Sequence, residues 1–165
     1  MENMKKREIT TIEKKKSLSI SDLILVAVLL AAGAILKIFV GSVINFFGMK
    51  PNFIIAMYCL AILLIRPKIY EAAIIGLLAG AICQFLPGTP YINFISELLG
   101  AVTAAALIKV PMKVGKVNLG IIVTSFVSTV VSGATYTICL FIFIKASLSS
   151  LAAYVPIVLL TAVIN

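Results

Sequence analysis

Six apolar runs, parted by short charged or turn-forming connections, decide what this chain can become. An uninterrupted apolar segment of about 20 residues is long enough to cross a bilayer as a helix. In lipid every backbone N–H and C=O must be paired internally, so helices are the economical solution. The composition agrees: 62% of the 165 residues are hydrophobic and 12% are charged. The mean hydropathy is +1.18. Soluble domains are only about half apolar. The expected fold is all-α: a polytopic membrane protein, a bundle of about six transmembrane helices.

Residues 1–18 read as a basic cytoplasmic tail, too charged to pack and expected to be disordered or interfacial. Residues 19–165 read as a single transmembrane helical domain. The run after the tail is long and further spans follow, so it is expected to be an uncleaved first helix rather than a signal peptide. Helix one is predicted from about Ser21 to Val40, capped by Ser19, Ser21 or Asp22. Ala27 and Ala31 lie four apart on one face, which lets another helix approach closely. Lys37 sits near the far end, where it can snorkel or face inward.

Helix two is predicted from about Pro51 to Ile65, with Pro51 at the first helical position. At 1.5 Å per residue it is only about 22 Å long, so the connection before it is expected to dip into the membrane. Helix three, about Glu71 to Leu86, carries the small-residue stripe Ala72, Gly76 and Gly80. The uncharged turn Pro87-Gly88-Thr89-Pro90 follows. Helix four, about Tyr91 to Val110, aligns Asn93, Glu97, Gly100, Ala101 and Ala104 on one face. Helix five, about Leu119 to Ile144, carries Ser125, Ser128, Ser132 and Thr135 in a stripe with Tyr136 beside it. Hydroxyls in such helices usually bond their own backbone or a neighbouring helix. Helix six starts near Ser150; its short run to Asn165 fits a tilted or terminal helix, or a chain cut short.

Cations set the orientation. The tail, the Arg66/Lys68 loop and the Lys109/Lys113/Lys116 segment hold most of them. They alternate with connections bearing only Lys50, nothing, and Lys145. This predicts both termini in the cytoplasm of a multi-pass membrane protein. The net charge of +8 then speaks to topology and anionic lipid, not to nucleic acid.

There is no histidine, which removes the commonest general base and a major metal ligand. Cys59, Cys83 and Cys139 lie in separate apolar runs without a CxxC pair, and read as buried apolar residues. No enzyme, metal or cofactor is expected. Gly48-Met49-Lys50-Pro51-Asn52 instead places a cation and unpaired helix amides together, a simple carboxylate receptor. It could equally be a helix start with an anchoring lysine. In the predicted orientation, however, Lys37, Lys50, Asn52, Asn93, Glu97 and Tyr136 converge in the outer half, which favours a binding site. Lys50 with the helix-two N-terminus suits a carboxylate, and Glu97 an ammonium. Phe46, Phe47, Phe53 and Tyr91 offer aromatic surface.

The run Gly48 to Asn52, the helix ending Leu64-Ile65-Arg66-Pro67, Ser132-Gly133 in helix five and Ala162-Val163-Ile164-Asn165 resemble the bacterial tryptophan-transporter family. The resemblance covers about Leu23 to Asn165. Through it the chain is similar to the substrate-binding S components of energy-coupling-factor (ECF) transporters. Two positions depart from the family pattern: Asn52 stands where an aspartate is usual, and Ser96-Glu97 where an acid–lysine pair is usual. The resemblance implies capture of tryptophan from outside, with a membrane coupling subunit and two ATPases as partners. Ala27 and Ala31 match the AxxxA pattern that meets the coupling subunit. No GxxxxGK[ST] occurs, so ATP is not bound by this chain's own P-loop. The alternatives are a stand-alone ion-coupled secondary transporter of an amino acid or vitamin, with Glu97 as proton site, and a non-transport membrane scaffold.

Overall fold

The computed structural model describes residues 17–43, 51–89, 91–110, 113–114, 117–145 and 147–165. Six helices follow in order: α1 Ile20–Val43, α2 Phe53–Ile65, α3 Ile69–Gln84, α4 Ile92–Leu107, α5 Gly120–Ile144 and α6 Leu148–Ile164. Between α4 and α5 a two-residue antiparallel ladder pairs β1 Lys113–Val114 with β2 Val117–Asn118, a hairpin the apolar pattern did not announce. Among the described residues α1 and α5 contain stretches long and apolar enough to cross a membrane. The other four are shorter apolar helices.

Helix starts follow local chemistry, with one correction. Ser19 Oγ accepts from the Asp22 N–H at 3.2 Å, while Asp22 Oδ2 accepts from the Ser19 N–H at 3.0 Å. That reciprocal pair satisfies two donors that a helix start leaves orphaned. The Glu71 carboxylate likewise accepts from the Lys68 N–H at 2.8 Å. Pro51, expected at the first helical position, lies instead before the Asn52 N-cap, and helix two opens at Phe53. The Asn52 side chain makes no cap hydrogen bond, because its amide reaches across to α4. Helix four starts at Ile92, since Tyr91 takes a left-handed φ of 67°.

The bundle is apolar outside and partly polar inside. Ile24, Val28, Phe39, Ile74, Leu78, Ile122 and Phe143 are exposed. Glu97, Thr124, Ser128, Thr129 and Ser132 are each 2% exposed or less. Large exposed apolar surface is a liability in water and none in lipid. The arrangement therefore belongs to a membrane protein.

Packing runs α3 on α4, α4 on α5, α1 on α2 and α5 on α6, with α2 also reaching α4 and α5. Helices α3 and α4 approach closely enough to bring backbone against glycine. A Cβ on Gly76 would stand 2.6 Å from the Glu97 carbonyl oxygen and 2.8 Å from Leu98 Cα. A Cβ on Gly80 would stand 2.8 Å from Phe94 Cα. The predicted small-residue stripe is thus what brings α4 into place. The predicted face of α4 is buried throughout, from Asn93 and Glu97 to Gly100, Ala101 and Ala104.

Candidate functional site

A cavity of about 360 Å³ opens among α1, α4, α5, α6 and the start of α2. Lys37 reaches it from α1, Asn52 and Ile55 from α2, and Asn93, Ser96 and Glu97 from α4. Thr129, Ser132 and Tyr136 line it from α5, with Tyr154 and Thr161 from α6. The turn Pro87-Gly88-Thr89 closes one side. Five of the residues read from the sequence as site candidates, Lys37, Asn52, Asn93, Glu97 and Tyr136, meet here. The sixth, Lys50, lies outside the described residues, as do Phe46 and Phe47.

Glu97 is the centre of the polar wall. It is 1% exposed, and a charge taken that far from water needs partners. Asn52 Nδ2 donates to its Oε1. Ser132 Oγ donates to its Oε2 at 3.2 Å. Asn52 is held in turn through its main-chain oxygen, which accepts from Asn165 Nδ2 at 3.3 Å. Its own Oδ1 is buried and finds no hydrogen-bond partner among the described residues.

Lys37 is the opposing charge. It is 8% exposed, so it faces inward rather than snorkelling. Its ammonium donates to Cys83 Sγ at 3.6 Å, and thiol sulfur is a weak acceptor. Lys37 and Glu97 make no direct ion pair, although the Lys37 charge acts on the Glu97 carboxyl. One cavity is therefore walled by a buried lysine and a buried glutamate that do not close on each other.

At the rim, the Tyr136 hydroxyl donates to Thr89 Oγ1 at 3.0 Å and accepts from the Thr89 N–H at 3.3 Å. This ties the α3–α4 turn to α5. Tyr136 and Tyr154 form a tilted ring pair with centroids 6.3 Å apart. Among the described residues they are the aromatic ones in the wall. Tyr91, expected to offer aromatic surface, is 76% exposed and points elsewhere; Phe53 is half-buried without lining the cavity.

Sequence reasoning missed Tyr154, Thr161 and Thr129. Tyr154 and Thr161 are seven apart on one face of α6, a spacing that could have marked both. Thr129 falls just off the serine stripe yet is 1% exposed. The stripe itself divides as its chemistry allows. Ser132 serves Glu97, and Ser128 donates across to the Gly100 carbonyl at 2.7 Å. Thr135 donates back to the Val131 carbonyl of its own helix at 2.8 Å. Ala27 and Ala31 lie on the exposed side of α1.

Comparison with known proteins gives one line of likeness. No family model matches the chain, and no solved structure matches it. A protein of Clostridium acetobutylicum named "Probable tryptophan transport protein" is 29% identical over 153 residues, covering 90% of this chain and 86% of that protein. The likeness supports a transport role and fits the apolar-outside bundle.

Proposed function

We propose that this chain is a membrane transport protein that captures a zwitterionic amino acid, tryptophan in the first instance, and has no enzymatic activity. The observation that carries the reading is the cavity walled by Lys37 and Glu97. Two buried, opposite, mutually unpaired charges suit a ligand that brings one of each. The ligand ammonium meets Glu97 and the free Asn52 Oδ1. The ligand carboxylate meets Lys37, with Lys50, two positions before Asn52 in sequence, as a second cation. Asn93 lends its amide, while Tyr136 and Tyr154 supply rings for an indole. About 360 Å³ lies within the range of small-molecule sites. The name of the relative, a probable tryptophan transport protein, supports tryptophan as that ligand.

In this reading the protein crosses the bacterial plasma membrane several times, both termini lie in the cytoplasm, and the cavity opens outward. The excess of lysine and arginine in the tail and in alternate loops supports that orientation. One experiment tests orientation and ligand together. Gly88 lines the cavity, and a Cβ there meets nothing closer than 3.7 Å, so a cysteine fits. The native Cys59, Cys83 and Cys139 are buried. In intact cells Gly88→Cys is expected to react with an impermeant thiol reagent, and excess tryptophan to slow that reaction. Labelling only after lysis would reverse the orientation. Labelling untouched by tryptophan would remove the ligand.

The chain is further proposed to act as the substrate-capturing S component of an ECF-type transporter, driven by a coupling subunit and two ATPases. The exposed Ala27/Ala31 face and the lack of a P-loop support this. Ala31→Trp is expected to abolish ATP-dependent uptake by the assembled complex through overpacking of a close contact, while tryptophan binding by the isolated chain stays intact. Full uptake by Ala31→Trp, or by the chain alone in liposomes, would replace this reading with ion-coupled secondary transport.

A further inference from the structure

Tyr58 on α2 does not line the cavity, yet it reaches the group that matters most there. It heads the wholly buried side chains by volume and is 0% exposed. Its hydroxyl finds no hydrogen-bond partner among the described residues. Buried hydroxyls are rarely left so, because losing water without gaining an acceptor is costly. The space for this one is made on α4: a Cβ on Gly100 would overlap the Tyr58 oxygen and crowd Ser132 Cβ at 3.0 Å. A glycine in mid-helix is itself unfavourable. Two unfavourable choices thus meet at one point, just behind Glu97.

The hydroxyl lies against Gly100 and Ser132, which brings it beside the Ser128 and Ser132 hydroxyls and the Glu97 carboxyl that Ser132 bonds. Both serines already donate elsewhere, Ser128 to the Gly100 carbonyl and Ser132 to Glu97. Either could still accept. A hydrogen bond to an ionised acceptor is roughly twice as strong as one between neutral groups. A carboxylate offers about four lone-pair sites, and Asn52 and Ser132 occupy two of these.

We propose that Tyr58 is the positioning residue of Glu97, its hydroxyl donating to the carboxyl from behind the cavity wall and holding the remaining lone pairs toward the ligand. This deepens, and rests on, the reading of Glu97 as the ammonium partner. With Tyr58 behind it and Asn52 and Ser132 beside it in the wall, the carboxyl keeps its aim when a ligand enters or leaves. The ammonium then meets a fixed acceptor rather than a swinging one.

The test begins without ligand. The infrared band of the Glu97 carboxyl is identified in purified protein as the band lost in Glu97→Gln. In Tyr58→Phe that band is expected to shift and the melting temperature to fall, because a buried hydrogen bond to the carboxyl is gone. An unmoved band overturns the proposal and leaves Tyr58 a space-filling residue. If Tyr58→Phe does not fold, fluorotyrosine incorporated into the unaltered chain gives the same reading, its more acidic hydroxyl shifting the band. With ligand, Tyr58→Phe is expected to weaken tryptophan binding about five-fold, the size of one hydrogen bond. Its affinity for indole-3-propionate, which lacks the amine, should not change. Equal loss for both ligands would also overturn the proposal. If the wild-type protein binds no amino acid, the transport reading fails by itself, and the infrared result still decides the role of Tyr58.

Discussion

Removing either charge of the cavity is expected to weaken tryptophan binding at least thirty-fold. Lys37→Ala leaves the ligand carboxylate buried without a cation; Glu97→Gln leaves the ammonium without an anion. Truncating one partner of a buried charge pair costs about 2–5 kcal/mol, and each 1.4 kcal/mol is about tenfold. Glutamine is chosen at position 97 because its carbonyl still accepts from Asn52 or Ser132, so the loss reads the charge and not the packing. The variants should fail selectively. Lys37→Ala is expected to lose its preference for tryptophan over tryptophanamide, which lacks the carboxylate. Glu97→Gln is expected to lose its preference for tryptophan over indole-3-propionate.

Stability separates binding from architecture. Each single variant leaves the opposite charge in a low-dielectric interior without its counterpart, so each should unfold at lower temperature than wild type. Lys37→Met combined with Glu97→Gln removes both charges, and neutral replacement of buried charges is often neutral or stabilising. The double variant is therefore expected to recover the melting temperature without recovering binding. Binding equilibria and thermal unfolding in detergent measure both. Near-normal tryptophan affinity in Lys37→Ala and Glu97→Gln would sink the two-charge site.

Gly76→Leu is expected to cost about 3 kcal/mol of stability and to abolish ligand binding, although position 76 does not line the cavity. The atoms a Cβ would meet, at 2.6 Å and 2.8 Å, are the Glu97 carbonyl oxygen and Leu98 Cα. Backbone cannot swing aside as a side-chain tip can, so α3 and α4 must separate. That displaces Asn93 and Glu97 together. Alanine is the weaker probe, because it gains about 1 kcal/mol of helix propensity over glycine and so offsets part of its own clash. Leu77→Ala, one residue along on the exposed face, should leave binding unchanged. Wild-type stability and binding in Gly76→Leu would show that α3 and α4 do not depend on this contact.

What could be read along the chain and what could not divides at the level of single helices. The six helices were legible because apolar runs, turn residues and caps act over a few neighbouring positions. Ser19 and Asp22 cap each other across one turn. Asn93, Glu97 and Gly100 could be placed on one inner face because their spacing is a property of a single helix. Pro51 shows where local reasoning stops. The rule for a proline at the first helical position is sound, yet Asn52 turns its amide to Glu97, 45 residues away. A buried carboxylate in need of a donor wins over a helix cap that water can supply.

The pairing of elements was decided only in three dimensions. Lys37 meets Cys83 across 46 residues, and Tyr136 meets Thr89 across 47. Tyr154 and Thr161 join the wall from α6, where their spacing of seven marks a face but not the helix it meets. These contacts depend on how each helix is rotated about its axis and how closely it can approach the next. Gly76, Gly80 and Gly100 set that approach. The sequence determined that this chain forms apolar helices carrying a few charges. The tertiary structure alone decided that an ammonium on α1 and a carboxylate on α4 share one cavity without neutralising each other, because close packing at the glycines fixes where those two charges stand.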